Sequence, residues 1–539
     1  MFDMKKLFFL LLCLAACTGP KPELENTSLS GDVASAHPLA TKAGRDILAA
    51  GGNAFDAAIA VAATLNVVEP MMSGLGGYGT ILTYEAQSEE IRFLNASGRF
   101  PAATNTDLMR EPTVNFKQNR VGPKSISTPG NLNAWKAMHE QYGKLAWRDL
   151  FKSAIIHAEE GFIIGNFTER MIAFAFDDFS DHTKTFYGKD GKPLRAGDKL
   201  IQADLARTFR LIGEEGPNPF YQGELAKKID LTMQEMESFL SLEDLKSNEA
   251  EWWEPLAMDY RGYQVFTASL PANSFAAFVN MGLMQQWPAD SLKHNSVQYL
   301  HLFAEMTKES YKARLAHSFD PDVTTAPLDS LFSPAVMRQM AAAIDTEEAS
   351  TFELPFAEES QHTTHFVVAD QWGNIVSATQ TLGNVFGSRV MPEGTGVWLN
   401  NSMAYSTFEP KGNPMDAYPG RHKLSGDCPI IILKDGKPWA ALGSPGGHTI
   451  TQNVPQIIFN LIDFDMSMQE AIDQPKISFA EPNVILVDEH LPENILEALT
   501  SKGHQLISRS IGNAHGIKII RDQSGAITSF ELGEDQRRK

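Results

Sequence analysis

The fold is decided by two adjoining stretches, which read TTHFVVADQWGN over residues 363–374 and IVSATQT over residues 375–381. Both have the residue pattern of β-strands, and the loop between them ends in Gly373, the position where a three-residue hairpin loop favours glycine. Directly opposed residues of a hairpin have Cβ atoms about 4.5–5.5 Å apart. Counting outward from the loop places Thr363 opposite Thr381. Two hydroxyls side by side either stabilise the sheet or form a nucleophile with its partner.

A second hairpin is predicted around Asp435-Gly436, between the runs 429–433 and 438–442. It leads into the sequence GSPGG at 443–447, where a strand meets a helix. Amide N–H groups at the start of a helix are unpaired and carry partial positive charge. Gly446-Gly447 is therefore either an oxyanion hole or a plain turn with a helix cap.

The rest of the chain predicts a layered α/β architecture. A helix over 40–50 is stopped by Gly51-Gly52, and a second begins at Asn53 or Asp56 and ends before Pro70. This second helix is apolar on all sides and should be buried. The region 130–345 is mostly helical by pattern. Strands are predicted over 80–84, 91–96, 264–269, 363–369, 375–381, 429–434 and 438–442.

Composition and charge exclude several classes of protein. The chain has 539 residues, of which 43% are hydrophobic and 21% charged, as in globular proteins. The net charge of −20 repels phosphate backbones, so no nucleic-acid partner is expected. The three cysteines, Cys13, Cys17 and Cys428, are too few for a disulfide scaffold or a cysteine-rich metal site.

The first residues have the pattern of an export signal. Lys5 and Lys6 precede an apolar run over 7–16, which is shorter than the roughly 20 residues that span a bilayer. The sequence LAAC at 14–17 resembles a bacterial lipobox, in which the cysteine is lipidated. We therefore expect a lipoprotein signal peptide over 1–16, a lipid on Cys17, a tether over 17–34 and a cell-envelope location facing the periplasm. An ordinary signal cleaved nearby is the alternative.

Two motifs that suggest cofactors or metals have the wrong context. Residues 74–79 match G-x-G-x-x-G, but here a helix precedes the motif and a strand follows it, the reverse of a dinucleotide site. His362 and His365 lie three apart on a predicted strand and so point to opposite faces. The sequence contains no H-E-x-x-H, G-x-S-x-G or Walker A motif. We expect neither a cofactor nor a metal.

Motifs spread over residues 34–520 identify a family. They read HPLA at 37–40, GGNAFDAA at 51–58, VVEP at 67–70, SGLGG at 73–77, STPG at 127–130, AEEGF at 158–162, TTH at 363–365, LNN at 399–401 and GSPGG at 443–447. In this order they resemble the γ-glutamyltranspeptidase (glutathione hydrolase) family of N-terminal-nucleophile hydrolases.

This resemblance implies a proenzyme that cuts itself between His362 and Thr363. A large subunit over 35–362 and a small catalytic subunit over 363–539 would form a heterodimer with a four-layer αββα sandwich. Thr363 would be the nucleophile, and its freed α-amine, with an unperturbed pKa of about 7.7–8.0, would be the base. Thr381 matches the threonine that holds the nucleophile. Gly446 and Gly447 match the family's oxyanion hole.

The resemblance is weaker where the family binds the α-carboxylate of a γ-glutamyl group, which takes an arginine and a pair of serines. Arg99 is the only arginine in the matching segment. An ungapped match, however, puts Ser97 at the arginine position. The expected serine pair reads Ser425-Gly426. Each such loss removes a hydrogen bond to a charged group, which contributes about 1.5–3 kcal/mol.

The family's contacts to the substrate α-amine also differ. After Asn400-Asn401 comes Ser402, and Tyr405 replaces the acid expected three residues later. Gly383 stands where the family has an asparagine. We nevertheless take Arg99, Ser402, Tyr405, Ser425 and Gly426 as the candidate substrate-binding residues.

Three functions follow, of which the first is preferred. In the first, the protein would be an autoprocessed N-terminal threonine hydrolase or transferase that cleaves γ-glutamyl amides such as glutathione and passes the acyl group to water or to an amino acid or peptide. In the second, it would be an amidase for another acyl group, as in relatives that resemble cephalosporin acylase or oxamate amidase. The third possibility is an envelope binding protein that lost catalysis, which intact Thr363, Thr381 and Gly446-Gly447 argue against.

Overall fold

The structure of the protein is a computed structural model that describes residues 30–113, 116–351, 362–480 and 483–537. The expected signal peptide over 1–16, the lipidation residue Cys17 and most of the tether over 17–34 lie outside these ranges. Those expectations stay predictions. Within the described residues, no helix combines the length and the apolar character needed to cross a bilayer.

The strands, in chain order, are β1 Gly31–Ala34, β2 Tyr78–Glu85, β3 Glu90–Ala96, β4 Phe162–Ile163, β5 Gly188–Lys189, β6 Lys192–Pro193, β7 Lys199–Leu200, β8 Glu251–Trp253, β9 Leu256–Tyr260, β10 Tyr263–Thr267, β11 His362–Asp370, β12 Ile375–Gly383, β13 Ile430–Lys434, β14 Lys437–Gly443, β15 Ile477–Ala480, β16 Val484–Asp488, β17 Leu506–Arg509, β18 His515–Arg521 and β19 Ile527–Glu534.

The α-helices are α1 Pro38–Ala49, α2 Ala54–Val68, α3 Asn131–Tyr142, α4 Lys152–Glu160, α5 Asn166–Ala175, α6 Asp181–Tyr187, α7 Ala203–Glu215, α8 Asn218–Tyr221, α9 Glu224–Glu235, α10 Leu242–Lys246, α11 Phe275–Met284, α12 Val297–His317, α13 Leu328–Leu331, α14 Pro334–Ala342, α15 Ile450–Ile462, α16 Met468–Asp473 and α17 Glu493–Ser501.

Two six-stranded antiparallel sheets form the centre of the molecule. Sheet 1 has the order β1-β11-β12-β2-β3-β8, and sheet 2 has the order β19-β18-β14-β13-β10-β9. An apolar core between them contains Val367 and Ala369 of β11 with Ile431 of β13 and Ala441 of β14. The alternate residues of β11, such as Phe366, belong to a core shared with α1 and α2. A third core joins sheet 2 to α11, α12 and α15. The predicted αββα sandwich is confirmed.

The register of the first hairpin agrees with the count from its loop. Thr364 pairs with Gln380 and His365 with Thr379, as predicted. The register shifts between His362 and Thr364, so a bulge lies at the open end of the hairpin. Such bulges redirect a side chain and are common beside active sites.

The other local predictions also hold. The side chain of Asn53 caps α2 and pairs with Asp56 in a capping box, and every residue of α2 is buried. Asp435 and Gly436 have φ values of 52° and 74°, as the two central residues of a type I′ turn require.

Several strands were missed. The region predicted as mostly helical also contains β4 to β9, and a small sheet of order β15-β16-β17 follows α16. Strands such as β4 to β7 are two residues long. That length is too short to show the alternation by which strands are predicted.

Candidate active site

Thr363 and Thr381 come together at the open end of the central hairpin. Their hydroxyl oxygens lie 3.3 Å apart, and Thr363 donates to Thr381. Both side chains are buried, with 4% of Thr363 and 2% of Thr381 exposed. Both face the space between the sheets, on the same side of sheet 1 as His365. The predicted hydroxyl pair is therefore present.

The main chain at the end of β12 fixes the Thr381 hydroxyl. The N–H of Gly383 donates to Thr381 Oγ1 at 2.8 Å. Gly383 has a φ of 101°, and a Cβ there would collide with Oδ1 of Asn401. This backbone conformation accounts for glycine at a position where the family has an asparagine.

Gly446 and Gly447 form a left-handed turn ahead of α15, with φ values of 141° and 58°. The N–H and hydroxyl of Thr449 both donate to the carbonyl of Gly446, at 3.1 and 2.8 Å. Within the described ranges, neither glycine N–H donates to a protein acceptor. Two unpaired amides on one turn are a suitable cradle for a negatively charged oxygen.

Tyr405 and Gly426 depart from the family pattern together. A Cβ on Gly426 would lie 2.7 Å from the hydroxyl oxygen of Tyr405 and 2.9 Å from the carbonyl oxygen of Gly447. A serine at 426 would thus collide with Tyr405. The tyrosine hydroxyl fills the space that the second serine of the family pattern would need, next to the glycine turn.

A path of contacts connects this turn to the threonine pair. Tyr78 of β2 is directly opposed to Thr381. The ammonium nitrogen of Lys423 lies 3.2 Å from the centre of the Tyr78 ring and 5.5 Å from the centre of the Tyr405 ring. These contacts link Thr381 through Tyr78 and Lys423 to Tyr405, beside the glycine turn, and we take these residues together with Thr363 as the candidate active site.

Arg99 is engaged elsewhere. Its guanidinium donates to Glu251 and to Asp322 at 2.9 Å each and to the carbonyl of Gly420 at 3.2 Å. Its side chain is 41% exposed, and it lines a surface cleft of about 420 Å³. Its assignment as a substrate ligand stays a prediction, which this pairing does not favour. Ser97, the ungapped match to the family arginine, is buried.

His422 completes the charged cluster around Arg99. It contacts Asp320 through Nδ1 at 2.9 Å and Glu251 through Nε2 at 2.8 Å. Burial opposes protonation, but the two carboxylates raise the pKa of His422 to about 9. Although burial works against it, His422 and Arg99 lower the pKa of Glu251 to about 2. We call Arg99, Glu251, Asp320, Asp322 and His422 the paired cluster.

The remaining predicted residues lie beside the site as buried groups. Ser402 donates its N–H to Oδ1 of Asn400 at 3.1 Å, and its hydroxyl has no hydrogen-bond partner among the described residues. Ser425 is held by the main chain: its N–H donates to Pro271 at 3.1 Å, and its carbonyl accepts from Asn273 at 2.8 Å.

Sequence reasoning missed three buried charged residues. Lys423 is 1% exposed and Arg314 of α12 is 3% exposed. Asp427 accepts a hydrogen bond from Thr80 Oγ1 at 3.0 Å. The signal in the sequence was a lysine and an aspartate flanking Ser425-Gly426. Charged residues are almost never fully buried unless they are paired, and a sequence does not show which ones will be.

Histidine and acid side chains also meet outside this site. The ligand atoms of His301, Glu305 and His504 lie within 4.8 Å of one another, an arrangement that could hold a metal. However, the two histidine rings contact each other at 2.9 Å, and Lys308 donates to Glu305 at 2.6 Å. These hydrogen bonds explain why His301, Glu305 and His504 lie close together. Asp320, Asp322 and His422 also meet the distance, and they are paired as described above.

Comparison with known proteins gives a consistent result. A family profile described as Gamma-glutamyltranspeptidase matches residues 40–539. The chain is 31% identical over 519 residues to a glutathione hydrolase proenzyme of Bacillus subtilis (strain 168), covering 91% of this chain and 88% of that one. It is 33% identical over 502 residues to an acylase ACY 1 proenzyme of Pseudomonas sp. (strain SE83), covering 91% and 89%.

A solved structure is similar over almost its whole length. It is the cephalosporin acylase from Bacillus halodurans, with a TM-score of 0.86 and 27% identity, covering 97% of this chain and 98% of that chain. Relatives named as a glutathione hydrolase and as an acylase are thus similar to this chain in sequence, and a cephalosporin acylase is similar to it in fold.

Proposed function

The chain belongs to the gamma-glutamyltranspeptidase family, whose members include glutathione hydrolases and acylases, and from this we propose how it acts. The protein cuts itself before Thr363 and then hydrolyses γ-glutamyl amides such as glutathione, or transfers the acyl group to an amine. The observation that carries the proposal is the Thr363–Thr381 hydroxyl pair at the start of β11.

Self-cleavage uses the hydroxyl of Thr363. Its oxygen attacks the carbonyl carbon of His362, the C–N bond to Thr363 breaks, and an ester forms. Water then cleaves the ester, which leaves a carboxylate on His362 and a free α-amine on Thr363. Thr381 orients the attacking hydroxyl, and the N–H of Gly383 orients Thr381 in turn.

Catalysis on a substrate amide repeats this chemistry. The α-amine of Thr363 takes the hydroxyl proton as the oxygen attacks the amide carbon. The N–H groups of Gly446 and Gly447 stabilise the negative oxygen of the tetrahedral intermediate, and one such donor typically contributes ~10²–10³ in rate. The leaving amine departs with the proton, and water or an acceptor amine cleaves the acyl-enzyme.

A second candidate is an amidase for an acyl group that lacks the α-amine. Tyr405 favours it, because a neutral hydroxyl replaces the acid that would bind a substrate ammonium group. The pairing of Arg99 with Glu251 and Asp322 concerns the other end of the γ-glutamyl group, because it occupies the arginine that was expected to bind the α-carboxylate.

The test is to purify the protein and sequence the start of its smaller fragment. We expect two fragments divided between His362 and Thr363, and a single uncut, inactive chain for Thr363→Ala. Thr364→Val is the matched control, because that neighbouring hydroxyl contacts Glu69 instead and should not be needed for cutting. A fragment that starts elsewhere contradicts the assignment of the nucleophile.

Donor preference separates the two candidates. Mature protein should be assayed with γ-glutamyl-anilide and with simple acyl anilides of similar length. A kcat/KM that is highest for the γ-glutamyl donor supports the first candidate. Higher values for donors without the α-amine support the second.

We also propose that a lipid on Cys17 holds the protein at the cell envelope, facing the periplasm. The sequence LAAC at 14–17 supports this. Acyl chains contribute about 0.8 kcal/mol per buried CH₂ to membrane binding. Cys17→Ser should release the protein or leave it unprocessed, as measured by membrane fractionation. A processed Cys17→Ser protein that stays on the membrane contradicts the proposal.

A further inference from the structure

Two buried cations, Lys423 and Arg314, lie beside Tyr405. Within the described ranges, the ammonium nitrogen of Lys423 has no hydrogen-bond partner, and neither do Nε and Nη1 of Arg314. Lys423 lies 5.5 Å and Arg314 5.6 Å from the centre of the Tyr405 ring. Among the described residues neither cation forms an ion pair, although both side chains are at least 97% buried.

Burial of an unpaired charge is costly, so buried charges are normally paired or bound to something. The charge of Asp427 acts on Lys423, yet no ion pair joins the two in the part of the chain that the structure describes. Burial lowers the pKa of Lys423 to about 7, and the charge of Asp427 only partly opposes this. Arg314 brings a second cation, a guanidinium, to the same aromatic ring. Lys423 therefore has only the partial compensation of Asp427, and Arg314 has no paired acid among the residues that the structure describes.

The two cations are placed to meet the acyl part of a bound substrate. Lys423 contacts Tyr78, which is directly opposed to Thr381. The hydroxyl of Tyr405 lies beside Gly426, close to the carbonyl oxygen of Gly447. The Tyr405 ring therefore connects both cations to the glycine turn that would hold the carbonyl oxygen of the acyl group.

We infer that Lys423 and Arg314 bind a carboxylate on the acyl part of the substrate. This inference rests on the proposed function and narrows it to amides whose acyl chain ends in, or carries, a free carboxylate. The γ-glutamyl group is one example, and the acyl group of a simple dicarboxylic acid is another. The carboxylate contact expected from an arginine at position 97 would then come from 423 and 314.

These nitrogen atoms are closed to solvent in the uncut chain. The test is therefore made on mature, self-cleaved protein. Self-cleavage also reports that each variant has folded around Thr363.

The experiment compares two anilides of equal chain length, glutaryl-anilide and pentanoyl-anilide, which differ in one terminal carboxylate. We expect Lys423→Met and Arg314→Met each to lower kcat/KM for the glutaryl donor by about 10- to 100-fold, mainly by raising KM. The loss of a hydrogen bond to a charged group typically weakens binding by about this factor. The pentanoyl donor should change less than about 2-fold, since it lacks the group that the cations bind. Lys423→Arg should recover part of the loss.

The controls are Lys42→Met and Arg148→Met, which remove exposed cations of the same types. They should leave both donors unchanged. An equal loss on both donors in Lys423→Met, or no loss on the glutaryl donor, overturns the inference.

A binding measurement separates this inference from the proposed function. Glutarate is titrated into mature wild type and into Lys423→Met by calorimetry. If wild type cleaves no anilide but binds glutarate at least 10-fold more tightly than Lys423→Met, the carboxylate site stands and the proposed function fails. If anilides are cleaved but glutarate binds both proteins equally, the function stands and the carboxylate site fails.

Discussion

Arg99 and Lys423 lie on neighbouring segments but have opposite surroundings. The N–H of Lys423 donates to the carbonyl of Gly98 at 3.2 Å, so the two backbones are in direct contact. Arg99 is 41% exposed and makes two carboxylate contacts. Lys423 is 1% exposed and makes none. Adjacent cations can therefore have different roles. Arg99 holds surface segments together through its ion pairs, and Lys423 lies in the candidate active site.

The difference shows that the number of cations near an active site does not identify the ligand. A guanidinium that already has its acids gains little from a substrate carboxylate. A buried cation without an acid gains much, because the ligand removes a desolvation cost that the protein carries alone. Substitutions in the two regions should therefore have opposite effects on stability.

The largest effect is expected in the paired cluster. Asp320→Ala removes the buried partner of His422 and should lower the free energy of unfolding by about 3–5 kcal/mol. Asp46→Ala is the control, because its ion pair with Lys42 is exposed and contributes about 0.5 kcal/mol or less. Chemical denaturation measures both. Equal losses in the two variants would mean that the cluster is not a buried unit.

The paired cluster also predicts a pH dependence. The pKa of His422 is raised to about 9, so its contribution is complete below its ordinary value and is lost as the pH rises through about 9. The difference in unfolding free energy between wild type and His422→Gln should fall by about 3 kcal/mol over that window. The charged groups that face His422 are Arg99, Glu251, Asp320 and Asp322. A difference that stays constant from pH 6 to 10 contradicts the raised pKa.

Arg99→Met and Arg314→Met should shift stability in opposite directions. Loss of the half-exposed pairs of Arg99 should cost about 1 kcal/mol. Replacement of the buried, unpaired charge of Arg314 by an apolar group should stabilise the ligand-free protein by about 1 kcal/mol, after the loss of its contacts with Tyr311 and Tyr405. Thermal unfolding of the two variants gives the signs directly. A destabilised Arg314→Met would show that this cation has a partner in the protein.

The smallest effect concerns salt. Between about 0.1 and 1 M the Debye length falls from about 10 to 3 Å, which screens exposed charges. The stability loss of Arg99→Met should therefore shrink by a few tenths of a kcal/mol, whereas the change in Arg314→Met should be insensitive to salt. Denaturation at the two salt concentrations tests this. Equal salt sensitivity of the two variants would contradict the view that the charge of Arg99 is exposed and that of Arg314 is buried.

The central hairpin could be predicted from sequence because its geometry is local. The loop ending in Gly373 sets the register, and the register brings Thr363 to Thr381. The second hairpin follows for the same reason, since Asp435 and Gly436 suit a turn with two left-handed residues.

The surroundings of the site could not be predicted in this way. The acids that hold Arg99 lie 152 and 223 residues away along the chain. In the sequence, Tyr405 and Gly426 each indicate the loss of one contact to the substrate. In the structure the two differences belong together, because the tyrosine hydroxyl occupies the space beside the glycine. Pairing and steric compensation of this kind depend on which distant segments meet.

The order of strands in the two sheets determines how the protein can unfold after self-cleavage. A cut before Thr363 would leave β11 and β12 hydrogen-bonded between β1 and β2, and β13 hydrogen-bonded to β10. Each sheet would then contain strands from both polypeptides, so the fragments could not separate unless both sheets unfolded. The single chain that had guided assembly would no longer exist. After self-cleavage, unfolding would therefore be irreversible. The lifetime of the active protein would then be set by its rate of unfolding.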